Sequence, residues 1–101
     1  ITDEEFLNKF RGTPIMRAKR VGLLRNICIA LGNLRDTHSV PSLSLALSHE
    51  ESLVSEHAAW ALGQIGGYAS KKSLTNALES EGRAPVLREI ELALGNIKLI
   101  D

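Results

Sequence analysis

The chain has 101 residues, 44% of them hydrophobic and 24% charged, and its twelve basic side chains balance its twelve acidic ones. This composition is too apolar for a disordered chain, and no run approaches the roughly 20 apolar residues that span a membrane. The length allows one domain with a modest core. The single cysteine excludes an internal disulfide, and we expect a reducing, cytoplasmic setting.

The neutral total hides an uneven distribution of charge along the chain. Residues 1–35 carry seven basic and three acidic side chains, whereas residues 36–101 carry five basic and nine acidic ones. No acidic residue occurs between Lys9 and Arg35. This asymmetry is consistent with an anionic partner for the first third of the chain, and equally with a solvated surface that is unevenly charged.

The predicted elements are all helices. Thr2 and Glu5 have the spacing of a capping box, and Thr13-Pro14 has the cap and first-turn proline that open a second helix. Asp36 is expected to cap the third helix. Gly66-Gly67 is expected to stop the fourth. In chain order the predicted helices cover about residues 3–10, 14–32, 37–47, 53–65, 70–78 and 83–99.

A seven-residue segment occurs three times, as ICIALGN, AAWALGQ and IELALGN, and its glycines are 31 and then 32 residues apart. A nearly equal step of this size indicates one helical hairpin repeated along the chain. We therefore predict an all-α fold, an α-α superhelix (solenoid) of three hairpins and about six helices in one domain. The repeated alanine allows helices to approach closely, and the repeated glycine suits a left-handed helix end. The hairpins cover about residues 3–33, 36–65 and 68–99 of the domain 1–101.

Few residues have the spacing that chemistry requires. His38, His49 and His57 do not form a ligand pattern, so surface or capping roles are favoured over a metal site. Cys28 has no histidine in register with it, which favours a helix-edge position over a nucleophile. Trp60 aligns with apolar residues of the other repeats, which favours the core over a base-stacking platform. We predict no catalytic residue and no metal site in this chain.

The second predicted helix carries arginines where a packing helix would be apolar. At 100° per residue, Arg20 points close to the direction of Ile27, and Arg17 close to that of Leu24. We expect the first turns of this helix to extend beyond the core and to present the guanidinium groups to a partner. Such groups bind the phosphates of RNA or DNA with two parallel hydrogen bonds. Alternatively, they bind carboxylates or helix C-termini elsewhere in a larger protein.

Two resemblances narrow this interpretation. Over residues 23–98, the repeated Ala-Leu-Gly with its upstream valine and paired leucines resembles the HEAT-like repeats of phycobilisome lyase subunits. A narrower set of motifs resembles the C-terminal HEAT-like domain of tRNA epoxyqueuosine reductases: RGTPI at 11–15, RAKR at 17–20, LRN at 24–26 and HAAWALG at 57–63.

The second resemblance implies an activity that this chain does not perform alone. Such enzymes reduce the epoxide of epoxyqueuosine at the wobble position of tRNA, in queuosine biosynthesis, and they use cobalamin and two 4Fe–4S clusters. Their cysteine runs are absent here, and the chain begins at Ile1 rather than Met. We therefore expect a catalytically inert C-terminal fragment of a longer oxidoreductase, with the cofactors in the missing N-terminal part.

The role implied for this fragment is tRNA docking. The implied partners are a tRNA anticodon stem-loop and the N-terminal catalytic domain of the same protein. Ser55 is a departure, because many HEAT-like repeats have arginine at this position. The alternatives are a scaffold that binds another protein, or a lyase-type subunit that holds a chromophore-bearing partner. The docking role carries over onto Arg11, Arg17, Lys19, Arg20, Arg25 and Asn26.

Overall fold

A computed structural model of the chain describes residues 14–97, with side chains from residue 17 onward. All regular structure in this part is helical, which confirms the all-α prediction. The helix predicted over residues 3–10 lies outside the described residues. The helices are α1 (Pro14–Leu34), α2 (Val40–Ala46), α3 (Ser52–Ile65), α4 (Gly67–Ser80) and α5 (Ala84–Ile97), with a 3-10 turn at Thr37–Ser39 before α2.

The helices form two layers, as expected for stacked hairpins. In one layer, α3 packs between α1 and α5; in the other, α2 contacts α4. The layers are joined within hairpins, since α2 packs on α3 and α4 packs on α5. The core between them is continuous, so each hairpin buries its apolar face against its neighbours. Its completely buried large side chains include Leu62, Leu74, Val86, Ile90 and Ile97.

The repeated glycine has a different role from the one expected. Gly32 and Gly63 lie inside α1 and α3 rather than in a left-handed position at a helix end. A Cβ built on Gly32 would lie 2.5 Å from Cζ3 of Trp60 and 3.0 Å from Cα of Ala61. A Cβ on Gly63 would lie 2.8 Å from Cβ of Ala93. The glycines are needed because neighbouring helices of one layer cross too closely for any side chain.

The end of α1 shows which residue takes the left-handed position instead. The helix continues past Gly32 to Leu34, and Arg35 has a φ of 52°. The N–H of Arg35 donates to the carbonyl of Gly32 at 3.2 Å, and that of Asp36 donates to Leu31 at 3.3 Å. This is a Schellman arrangement, which satisfies carbonyl groups that the last turn of a helix leaves free.

Two other predicted helix boundaries agree only in part with the structure. Asp36 acts as a cap, since its Oδ1 accepts from the N–H of His38 at 3.0 Å, but the element it caps is the 3-10 turn. Gly66 ends α3 as predicted, with a φ of 70°. The next helix begins at once, at Gly67, rather than at about residue 70. Two consecutive glycines with positive φ reverse the chain without a longer loop.

Candidate nucleic-acid interface

The outer face of α1 carries three of the predicted nucleic-acid-binding residues. Lys19 and Asn26 are both exposed, and their seven-residue separation puts them on one side of the helix. Arg25 is half-buried, and its Nε donates to Oδ1 of Asn26 at 3.3 Å. Arg11 lies outside the described residues. Lys19, Arg25 and Asn26 are called the α1 polar face below.

Arg17 is tied to the beginning of α3. Its Nε donates to Oε1 of Glu51 at 2.6 Å, and the two side chains form a salt bridge. This hydrogen bond, with the negative charge of Glu51, raises the pKa of the Arg17 guanidinium. The side chain remains 62% exposed, so part of the guanidinium still faces solvent.

Arg20 does not reach solvent, and the expectation that it is presented to a partner is wrong. The residue is 1% exposed. Its Nη1 lies at hydrogen-bonding distance from Nε2 of His49, 3.1 Å away, and its Nη2 lies 3.7 Å from Oε1 of Glu50. The turn between α2 and α3 covers the guanidinium and supplies polar partners for it. A single helical wheel could not reveal this, because the covering residues come from another hairpin.

A second arginine that binds groups of the chain itself, Arg83, was not predicted from the sequence. Arg83 precedes α5, and its Nη1 donates to the carbonyl oxygen of His49 at 2.8 Å. Its Nη2 donates to Oγ of Ser55 at 3.1 Å, and its Nε donates to Oε2 of Glu81 at 2.8 Å. The side chain therefore satisfies a carbonyl after α2 while its charge is balanced by Glu81.

The sequence positions of Arg20 and Arg83 could have indicated that the two arginines have the same structural role. Arg20 stands twelve residues before Gly32, and Arg83 stands twelve residues before Gly95. Both guanidinium groups contact the turn between α2 and α3. Arg83 also explains the departure at Ser55, since it brings a guanidinium to this position from the next hairpin. An arginine twelve residues before the repeated glycine thus links one hairpin to its neighbour.

The other residues weighed for chemistry have structural environments. Cys28 is 4% exposed and lies in the core rather than at a helix edge, and burial raises the pKa of its thiol to about 11. Nδ1 of His57 donates to the carbonyl of Leu53 at 2.8 Å, and the His38 side chain is exposed. Within residues 14–97, no group of three or more histidine, cysteine or acidic side chains could hold a metal ion.

A second cationic surface lies on α4 and was not predicted. Tyr68, which is 76% exposed, lines a groove of about 450 Å³ with Lys71 and Lys72. The spacing of three and four residues places both lysines beside the ring on one face of the helix. A ring flanked by ammonium groups is the kind of surface on which nucleic-acid bases stack. The adjacent lysines were the signal in the sequence.

The family is shown by comparison with known proteins. Residues 15–95 match the family described as HEAT repeats. The chain belongs to the HEAT-repeat family. None of the described helices of this HEAT-repeat chain is both long enough and apolar enough to cross a membrane.

Curated relatives support the narrower resemblance. The epoxyqueuosine reductase of Xanthomonas campestris pv. campestris is 40% identical over 65 residues, covering 63% of this chain and 18% of the reductase. The epoxyqueuosine reductase of Bacillus subtilis is 31% identical over 100 residues, which cover 97% of this chain and 26% of the reductase. A third relative is a Geobacillus stearothermophilus protein described as uncharacterized and in the gldA 3′ region. It is 33% identical over 100 residues, which cover 97% of this chain and 46% of that protein.

These matches make the HEAT-repeat chain a partial homologue of epoxyqueuosine reductases, which confirms the resemblance seen in its motifs. The chain spans less than half the length of each of these relatives. No solved structure matches it.

Proposed function

We propose that this HEAT-repeat chain is the tRNA-docking module of an epoxyqueuosine reductase. The observation that carries the proposal is the α1 polar face, on a chain that is similar to proteins named epoxyqueuosine reductase. Lys19 and Arg25 supply positive charge there, and Arg17 adds a partly exposed guanidinium. Arg20 is left out of the contact surface because it is buried.

In this proposal the protein binds the sugar–phosphate backbone of the RNA. Lysine and arginine side chains neutralise phosphates and release condensed counterions, which gives affinity with little sequence readout. A hairpin stem held in this way keeps the unpaired bases of its loop in a fixed position relative to the protein. The modified wobble base can then reach an active site outside this chain.

The remaining parts of the reaction are assigned to the N-terminal catalytic domain. Cobalamin and two 4Fe–4S clusters would supply the redox chemistry there, in the cytoplasm. The HEAT-repeat chain contributes binding and orientation of the anticodon stem-loop, and no catalytic group.

The experiment compares charge reversals on two surfaces of the purified chain. Lys19→Glu and Arg25→Glu change the α1 polar face, while Arg88→Glu makes the same change at an exposed position on α5. Affinity for a fluorescent anticodon stem-loop is measured at one salt concentration. The first two variants should bind at least about tenfold more weakly, because each loses a phosphate contact and adds repulsion. Equal affinities for all three variants would reject the α1 polar face as the RNA-binding surface.

Protein binding is a second candidate function, and one observation favours it. The layer formed by α1, α3 and α5 carries a groove lined by an aromatic ring and two carboxylates, a surface of the wrong sign for RNA.

A further inference from the structure

The groove lies where three helices of one layer meet. It has a volume of about 450 Å³, and each of α1, α3 and α5 contributes to it. All three hairpins of the predicted solenoid are therefore represented in one surface depression. Its lining residues are Ile29, Asn33, Glu56, His57, Trp60 and Glu89.

Two carboxylates in the groove have no close partner within the part of the chain that the structure describes. The side chains of Glu56 and Glu89 take part in no hydrogen bond or salt bridge there. Glu56 lies within electrostatic reach of Arg83, and its charge contributes to the raised pKa of that guanidinium. The hydrogen bonds of Arg83, however, go to other groups, such as Glu81. Both carboxylates are thus available as acceptors for a bound cation.

Trp60 gives the groove an aromatic wall in a fixed position. Its ring packs on α1 at Gly32, where an added Cβ would meet Cζ3 at 2.5 Å. The residue is only half-buried, and its remaining surface lines the groove. Glu56 precedes Trp60 by one helical turn, which places this carboxylate beside the ring on the same face of α3.

We propose that this groove binds an arginine side chain from a basic segment of a partner protein. A guanidinium group stacks on the face of an indole ring and is attracted by its quadrupole. Its planar set of N–H donors at the same time matches carboxylate oxygens bidentately. An indole wall beside two unpaired carboxylates offers both interactions at once.

The groove carries negative charge, and this distinguishes it from the positively charged surface proposed for RNA. Phosphate would be repelled by Glu56 and Glu89, whereas the α1 polar face carries Lys19 and Arg25. The two surfaces therefore select partners of opposite charge. The inference stands independently of the proposed tRNA docking, because it uses none of the same residues.

Trp60 also provides the measurement, because it is the only tryptophan of the chain. The purified chain is titrated with a blocked tripeptide containing arginine between two glycines, and tryptophan emission is recorded. A matched peptide carries citrulline, which has nearly the shape of arginine without its charge. The arginine peptide should give a saturable change in emission and the citrulline peptide none. A lysine peptide should bind several-fold more weakly, because it lacks the planar fork.

Three isosteric variants assign the effect to the groove. Glu56→Gln and Glu89→Gln should each lower the affinity for the arginine peptide about threefold to tenfold. Glu79→Gln removes an exposed carboxylate on α4, outside the groove, and should leave the affinity unchanged. The proposal is overturned if the citrulline peptide binds equally well, or if the three variants behave alike. It is also overturned if no titration saturates, or if an RNA stem-loop produces the emission change instead.

Discussion

Nη1 of Arg83 donates to the carbonyl oxygen of His49, which is 34 residues earlier in the chain and 2.8 Å away. The contact joins the beginning of α5 to the turn that follows α2. The same guanidinium pairs with Glu81, whose side chain is 9% exposed, so charge and hydrogen-bonding groups are satisfied together. A basic side chain of this protein can therefore hold two hairpins together, and is not necessarily available to an anionic partner.

Replacement of Arg83 should destabilise the fold. Arg83→Ala removes the guanidinium donors to the His49 carbonyl, to Ser55 and to the Glu81 carboxylate. The His49 carbonyl keeps a donor in Ser55 Oγ, and Glu81 keeps the backbone N–H of residue 83, so a cost of about 1–3 kcal/mol in the free energy of unfolding is expected. The control is Arg88→Ala, an exposed arginine on α5, which should change stability by less than about 0.5 kcal/mol. Urea denaturation measures both. Similar losses for the two variants would show that the Arg83 contacts contribute little.

The ion pair between Glu81 and Arg83 should make stability depend on pH. The hydrogen bond from Arg83 lowers the pKa of Glu81 in the folded chain. A lowered folded pKa gives a stabilising contribution that is complete above the unfolded value of about 4.3 and is lost as the pH falls through the folded pKa. The difference in unfolding free energy between the wild type and Glu81→Gln should therefore shrink from pH 7 to pH 3. A difference that stays constant over this range would contradict the pairing.

Two glycines at the same repeat position should respond to alanine in opposite ways. In Gly63→Ala the new Cβ would lie 2.8 Å from Cβ of Ala93, and forcing α3 and α5 apart should cost about 1–3 kcal/mol. At Gly95 no described atom lies within 4 Å of an added Cβ. Gly95→Ala should therefore stabilise α5 by up to about 1 kcal/mol through helix propensity. Thermal unfolding of the two variants checks the sign, and stabilisation by both would contradict the close helix crossing.

The fold could be predicted because the same helical segment occurs three times in the sequence. The nearly equal spacing of Gly32, Gly63 and Gly95 indicates hairpins of about one length, and turn residues such as Gly66 mark where helices end. The role of the repeated glycine could not be read in the same way. A glycine near a helix end fits both a left-handed terminus and a close helix crossing, and the positions of Trp60 beside Gly32 and of Ala93 beside Gly63 distinguish them.

The candidate site was predicted less completely, for a related reason. Lys19 lies on the outside, as a polar residue should, but Arg20 next to it is covered by His49 and Glu50 from another hairpin. Periodicity within one helix gives the direction of a side chain and not what lies in that direction. The groove beside Trp60 was hidden for the same cause, since its walls come from three helices.

Docking of tRNA through the α1 polar face is measured by the salt dependence of binding. The affinity of the chain for an anticodon stem-loop is determined between about 50 and 200 mM salt, for the wild type and for the double variant Lys19→Ala/Arg25→Ala. The wild type should lose affinity steeply as salt rises, and the double variant should show a slope of log affinity against log salt that is smaller by about 1–2. A wild-type affinity that does not change with salt, or an identical slope in the double variant, would contradict binding of phosphate by this surface.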